Sequence, residues 1–329
     1  MASQNLPTKL LYLSYADIDS VNLSMGEIID AVEFSLIEKA HGRTHMPPKH
    51  WIPSDNRRFF SAMSSAVPAV GTAICKWQSG SSKNTDYQLP YLTGLLMLNS
   101  VETGLTFAIM DSTWITAKRT AAASAVAMRY LANPGTKTIG VIGCGTQGRM
   151  HVEAFLTECS EIHTVKAYDI SPTALTEYIK EVEGAYGLQV IPCKNAKEVA
   201  FEAQIMVTGG PIEANTQRTI EPGWLEKGAL GITIDYDCYW QPSSIRAVDR
   251  LFTDDIGQME HLKEFGYFLD LQTVISELGS VAAGLSPGRS SANETLLTLN
   301  LGVAVEDAVI AKRVFEKAEA MGKGTWLDY

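Results

Sequence analysis

Residues 139–148 read IGVIGCGTQG, a short apolar run closed by the pattern Gly-x-Gly-x-x-Gly. Few short patterns restrict a fold more. Gly143 permits a tight turn, Gly145 lets backbone approach a pyrophosphate, and Gly148 lets the following helix pack closely on the strand. That helix would open at Thr146 and Gln147, offering unpaired N–H groups and its positive end to an anion. The next strand, VKAYD, ends in Asp169, where a carboxylate can bond the hydroxyls of an adenosine ribose. Ile-Ser-Pro-Thr follows it, with no Arg or Lys to receive a 2′-phosphate. The expected cofactor is therefore NAD(H), preferred over NADP(H). A glycine turn serving packing alone is the plainer alternative, but strand, turn, helix, strand and acid all stand in register.

Such a turn usually opens a chain, whereas here it follows a long preceding segment. In that segment MGEIIDAVEFSLIEKAH (25–41) carries apolar residues near helical period. RRFFSAM and VGTAICKW then read as strands, and GLLMLN and LTFAIMD flank a hairpin turn at SVETG. Asp111 and Ser112 can cap the alanine-rich helix WITAKRTAAASAVAMRYLA, which ANPG ends. From 137 onward strands and helices alternate: KTIGVIG, QGRMHVEAFLTE, VKAYD, PTALTEYIKEVEG, then QVIP, QIMVTGG, ALGITID and RLFTD. Alternation of this kind implies a doubly wound parallel sheet. After ETLLTLN comes one long amphipathic helix, LGVAVEDAVIAKRVFEKAEAMG, able to pack back on the first unit. The expected class is α/β: a Rossmann sheet inserted into an α+β domain.

Composition removes several classes of function. The net charge of −10 disfavours nucleic acid, whose phosphates call for a basic surface. No apolar run is long enough for a membrane span, and the first residues lack the layout of a secretory leader. Five scattered cysteines without CxxC spacing, and six histidines without HExxH, predict neither disulfides nor a metal centre. A cytoplasmic protein is expected.

Three cations in the first segment stand out. Lys76 lies among apolar neighbours in AICKWQSG, Lys49 follows two prolines in MPPKHW, and Arg119 begins RTAAASA. Singly, each has an ordinary reading as an edge-strand lysine, a loop lysine and an exposed helical arginine. Together with GxxxCKWxSGSSKN (71–84), TAKRTAAASAVAMRYLA (116–132), GVIGCGTQGRMH, ELGSVAAGLSPGR (277–289) and the final helix, they make the chain resemble the ornithine cyclodeaminase/μ-crystallin family over nearly its whole length. The family includes amino-acid dehydrogenases and ketimine or imino-acid reductases.

The resemblance implies a discontinuous substrate and dimerisation domain, 1–118 with 302–329, around a nucleotide domain at 119–301. It implies that Lys76 and Arg119 clamp a substrate carboxylate. Lys49 stands where many members have Arg, and offers a point charge in place of a bidentate fork. The catalytic acid falls in Thr233-Ile234-Asp235-Tyr236-Asp237-Cys238, with Asp237 the better match and Asp235 in reserve. VTGGP (207–211) replaces a Thr-Xaa-Ser turn beside the nicotinamide ribose, leaving Thr208 and the Gly209 backbone to serve. Arg57 and Arg58, beside Asp55 in SDNRR, are either solvated loop charges or helpers of an anionic substrate, and Lys83 in SSKN is open in the same way. The implied activity is hydride transfer at the α-carbon of a small amino or imino acid by a homodimer, with Lys76 and Asp237 catalytic. No acidic side chain for an ornithine ammonium is evident, which favours a reductase or dehydrogenase. Ornithine cyclodeaminase and a non-catalytic dinucleotide and small-ligand binding protein are the alternatives.

Overall fold

The computed structural model describes residues 9–54, 58–213, 217–271 and 273–328. In chain order the elements begin with β1 (Lys9–Leu13), α1 (Tyr15–Ser20), α2 (Met25–Ala40), β2 (His50–Ser54), β3 (Arg58–Val67) and β4 (Thr72–Ser81). β5 (Leu92–Ser100), β6 (Thr106–Asp111) and α3 (Thr113–Leu131) follow. Then come β7 (Thr138–Ile142), α4 (Thr146–Glu158), β8 (Thr164–Tyr168), α5 (Pro172–Tyr186), β9 (Gln189–Pro192) and α6 (Ala196–Ala200). β10 (Ile205–Thr208), β11 (Leu230–Thr233), α7 (Pro242–Arg246), β12 (Arg250–Thr253) and α8 (Ile256–Leu262) lead to β13 (Ser276–Glu277), α9 (Leu278–Ala282) and β14 (Leu296–Leu299). α10 (Ala304–Ala320) and β15 (Thr325–Asp328) close the chain.

The chain divides into two compact units, Met1–Arg119 with Val303–Tyr329, and Thr120–Gly302. The first holds a seven-stranded sheet in the order β15-β1-β6-β5-β4-β3-β2. Its neighbours are antiparallel except β1 and β6. Strict alternation along β3 and β4 turns Phe59, Met63 and Val67, and Ile74, Lys76 and Gln78, to one face. α2 and α10 are the helical layer, and α10 packs on β3 and β4. α2 starts where it does because Ser24 and Glu27 cap each other reciprocally, and it buries Ile28, Ile29, Val32 and Leu36. α3 starts on the carboxylate of Asp111, which accepts from the N–H groups of Thr113 and Trp114 at 2.8 and 3.1 Å.

The second unit is an all-parallel sheet in the order β13-β12-β14-β11-β10-β7-β8-β9. From β7 the chain winds outward through β8 and β9, then returns to the other side of β7 with β10. The strand order therefore reverses between β7 and β10, and in such sheets ligands bind beyond the strand ends at that reversal. The strands and long helices expected from periodicity are present. β1 and β15 had no counterpart in the sequence reading, since each is short and they are placed by pairing with each other across the whole chain length. Among the described residues no helix is long and apolar enough to cross a membrane.

Candidate active site

In the second unit the glycine turn leaves β7 with Gly143 at φ 98°. A Cβ there would lie 2.6 Å from the carbonyl oxygen of Gly209, and one on Gly148 would overlap the carbonyl oxygen of Gly143. These two glycines are required by the close approach of backbone. Gly145 differs, because a Cβ on it would meet nothing within 4 Å. It is the N-cap of α4 and no side chain caps that end, so the first-turn N–H groups beside Thr146 and Gln147 are left for a ligand. A small pocket is lined by Gly143, Gln147, Gly148, His151, Gly209 and Ile234. Gln147 Oε1 is buried there without a hydrogen-bond partner among the described residues.

Asp169 braces the turn. One carboxylate oxygen accepts from the Cys144 N–H and the other from the Ser171 N–H, both at 2.8 Å. Each oxygen keeps a lone pair for a further donor. Open space at Gly145, an uncapped helix end and this carboxylate together fit a dinucleotide.

His151, not singled out by sequence, supports the same turn. It is fully buried, and burial pushes its pKa down to about 4, so the ring is neutral. Its Nδ1 stands 2.7 Å from the Gln147 carbonyl, which can only accept, so Nδ1 carries the proton. Nε2 then accepts from the Ser124 hydroxyl at 2.9 Å, and Ser124 in turn accepts from Asn300 at 3.2 Å. A histidine on the helix following the glycines was the available signal.

The two candidate acids flank Tyr236, whose φ of 61° is rare for a residue with a bulky side chain. Asp235 is wholly enclosed. Its carboxylate accepts from Thr208 Oγ1 at 2.8 Å and from the Gly210 N–H at 3.0 Å. Burial raises its pKa to about 7, against the opposing effect of those donors. Asp237 is also buried, and its Oδ2 pairs with Arg218 at 2.6 Å. Burial raises its pKa while Arg218 and the Phe268 backbone N–H oppose the rise. Arg218 was not anticipated. Thr208 requires a correction: it is fully buried, its hydroxyl donates to Asp235, and it accepts from Trp240 Nε1 at 3.1 Å. That hydroxyl faces inward and is not presented to a ribose, whereas Gly209 lines the pocket.

Asp235 makes a testable link between pH and stability. The native chain holds a proton up to about pH 7 that the unfolded chain releases near pH 4. Its contribution is therefore complete below about pH 4 and drains away as pH rises through 7. The urea midpoint should be lower at about pH 8 than at about pH 5. In Asp235→Asn this part of the dependence should vanish; the amide oxygen can still accept from the Gly210 N–H, while the amide NH2 faces Thr208 Oγ1. The same pH profile in variant and parent would exclude Asp235 as its source.

In the first unit the three cations are not the exposed side chains their residue types suggest. β4 is an interior strand, flanked by β3 and β5, so Lys76 is not on an edge. It has no exposed surface. Its Nζ donates to Asp307 at 2.7 Å and to Thr116 at 3.3 Å. Its pKa is lowered to about 8, chiefly by burial; Asp307 opposes the fall, the Arg119 charge adds to it, and Glu306 opposes it. Arg119, on α3, is buried too, 3.3 Å from Glu306 and 3.6 Å from Asp307. Lys49 is buried one residue before β2. The β2–β3–β4 register carries it into the row of Met63 and Lys76, which are direct cross-strand neighbours.

Sequence reading missed Glu306 and Asp307, at the start of α10. The signal was two adjacent acids in the otherwise apolar VAVEDAV. Arg58 donates to Asn84 Oδ1 at 2.8 Å and braces a loop, and Lys83 is exposed. Asp55 and Arg57 lie outside the described residues.

A parallel sheet with a glycine turn at its reversal point, joined in one chain to an antiparallel unit with a buried cation cluster, defines the class of two-unit α/β proteins with a Rossmann-type sheet. The chain matches the ornithine cyclodeaminase/mu-crystallin family over residues 10–322, and it belongs to that family. It is 31% identical to an alanine dehydrogenase of Archaeoglobus fulgidus, across 97% of this chain and 98% of that one. The fold superposes on Thermococcus litoralis Δ1-pyrroline-2-carboxylate reductase in complex with NADH and L-proline. The TM-score is 0.85 at 28% identity, covering 96% of this chain and 99% of that one. It also superposes on an archaeal alanine dehydrogenase dimer with bound NAD, with a TM-score of 0.85 at 29% identity, covering 98% and 99%.

Proposed function

We propose that this protein is an NAD(H)-dependent oxidoreductase acting on a small α-amino or α-imino acid, as a dehydrogenase or imine reductase. The observation that carries the reading is the buried cluster of Lys76 and Arg119 against Glu306 and Asp307. Two buried cations held by two buried acids are preorganised, so little reorientation is needed when an anion arrives. Lys49 brings a third positive charge to the same face. The carboxylate of the substrate binds to these cations, which fix the α-carbon and withdraw electrons from an adjacent imine.

The cofactor, bound on the glycine turn, supplies and accepts hydride. Asp237 holds or releases the proton of the substrate nitrogen. Asp235 is the less suitable acid because both its oxygens are engaged within the fold. Asp169, with no cation in the residues that follow, supports NAD(H) over NADP(H). The acids near the clamp are already engaged with Lys76 and Arg119, which favours a reductase or dehydrogenase over a cyclodeaminase. The test is turnover of purified protein with NADH or NADPH and a panel of 2-oxo acids with amines, beside L-ornithine with catalytic NAD⁺. Net oxidation of NADH supports the reading. Proline without net change in NADH would establish the cyclodeaminase instead, and full turnover by Asp237→Asn would remove that residue's role.

We also infer a homodimer formed through the outward face of the first unit's sheet. That face presents Phe60, Cys75, Trp77, Leu95, Met97 and Ile109, and Trp77 and Leu95 are cross-strand neighbours, each about half exposed. Apolar surface on this scale marks an interaction site. Trp77→Asp with Leu95→Asp should convert a dimer to a monomer in sedimentation velocity. An unchanged sedimentation coefficient would place any interface elsewhere.

A further inference from the structure

On the inward face of the first unit's sheet, one row beyond Lys76, Ser61 of β3 and Gln78 of β4 stand directly opposite each other. Ser61 has no exposed surface and Gln78 is 7% exposed. Neither Ser61 Oγ nor Gln78 Oε1 has a hydrogen-bond partner among the described residues, and Gln78 Nε2 meets only the Met63 sulfur, at 3.7 Å. On the β5 side no side chain can supply one. Gln78 is paired on β5 with Gly94, where even a Cβ would overlap the Trp77 carbonyl oxygen and lie 2.8 Å from Ser112 Oγ. Buried polar groups left unmatched are costly, and an apolar pair would serve simple packing better.

We infer that Ser61 and Gln78 form a side-chain subsite, selecting an amino or imino acid with a neutral hydrogen-bonding side chain, a hydroxyl or a carboxamide. The inference rests on Lys76 and Arg119 being the carboxylate clamp. Alternate residues of a strand lie about 7 Å apart, so with a hydrogen bond of about 3 Å at each end a short polar side chain such as that of threonine or asparagine bridges the clamp and the subsite. An apolar side chain leaves both protein groups unpaired, and such sites discriminate strongly against analogues lacking the hydrogen bond. A charged side chain would be desolvated against two neutral partners.

The test uses near-isosteric pairs, L-threonine against L-valine and L-asparagine against L-leucine. Oxidation with NAD⁺ is measured as kcat/KM, and binding to the NADH-loaded protein by calorimetry. The polar member should be favoured by about tenfold or more in at least one pair. Gln78→Met with Ser61→Ala should erase that preference by raising the apolar member relative to its partner. The preference of the parent protein is informative even if the variant folds poorly. Polar-selective binding without any turnover would keep the subsite and remove the oxidoreductase reading. Turnover without preference would remove the subsite and keep the oxidoreductase. Stronger binding of a charged or apolar side chain, or no binding of any member, would overturn the subsite.

Discussion

Lys76→Met is expected to lower turnover by about 10³-fold or more and to destabilise the fold by about 3–5 kcal/mol. The two effects have different origins. On the proposed function, removing the cation takes away the buried charge that would position the substrate carboxylate, and it also strands Asp307, which has no exposed surface. Removing one partner of a buried pair is strongly destabilising because an uncompensated charge remains. Arg119, 3.6 Å from the other Asp307 oxygen, retains part of that compensation and places the loss toward the lower end. The double variant Lys76→Met with Asp307→Leu separates the effects. Replacing a whole buried pair by apolar groups is often nearly neutral, so its urea midpoint should recover most of the loss while turnover stays as low as in Lys76→Met. Recovery of turnover would show that the charge on Lys76 is not what the reaction uses.

Gly145→Ala should leave the thermal midpoint almost unchanged and weaken NADH binding about tenfold or more, a loss of about 1.4 kcal/mol at the least. The backbone at Gly145 has φ −80°, which alanine adopts freely, and its Cβ would meet no protein atom within 4 Å. Among the described residues nothing would meet such a methyl, which would instead obstruct a ligand approaching the uncapped end of α4. Gly148→Ala is the contrast. Its Cβ would overlap the Gly143 carbonyl oxygen, so strand and helix must part, with a stability loss of about 1–3 kcal/mol besides loss of binding. Fluorescence titration with NADH beside thermal unfolding distinguishes the two variants. Unaltered NADH affinity in Gly145→Ala would remove the turn from the cofactor site.

Much of this was legible in the chain, and the reasons can be traced to particular residues. Phe59 and Met63 share inward parity on β3, as the period-2 pattern of that strand requires. Ala73, Cys75 and Trp77 on the other parity of β4, however, are as apolar as Ile74, so the burial of Lys76 was not legible in AICKW. Ser24 with Glu27 announces α2, and Pro172 stands in the first turn of α5. Less legible were the short strands β1 and β15. The Ser124–His151 contact was hidden as well, joining two helices that no local pattern relates. Thr208 was read from its place in the chain as facing a ligand, yet Asp235 and Trp240 hold it inward.

The sequence by itself determined the alternation of elements and the backbone demands of Gly143 and Gly148, because each is written in short-range spacing and steric need. Only the tertiary structure decided which charges are buried and what holds them. Glu306 and Asp307 reach Lys76 and Arg119 from the far end of the chain. Arg218 meets Asp237 across a loop, and Ser61 and Gln78 are left facing each other without partners. Burial and pairing arise from long-range packing, so no window of neighbouring residues contains them.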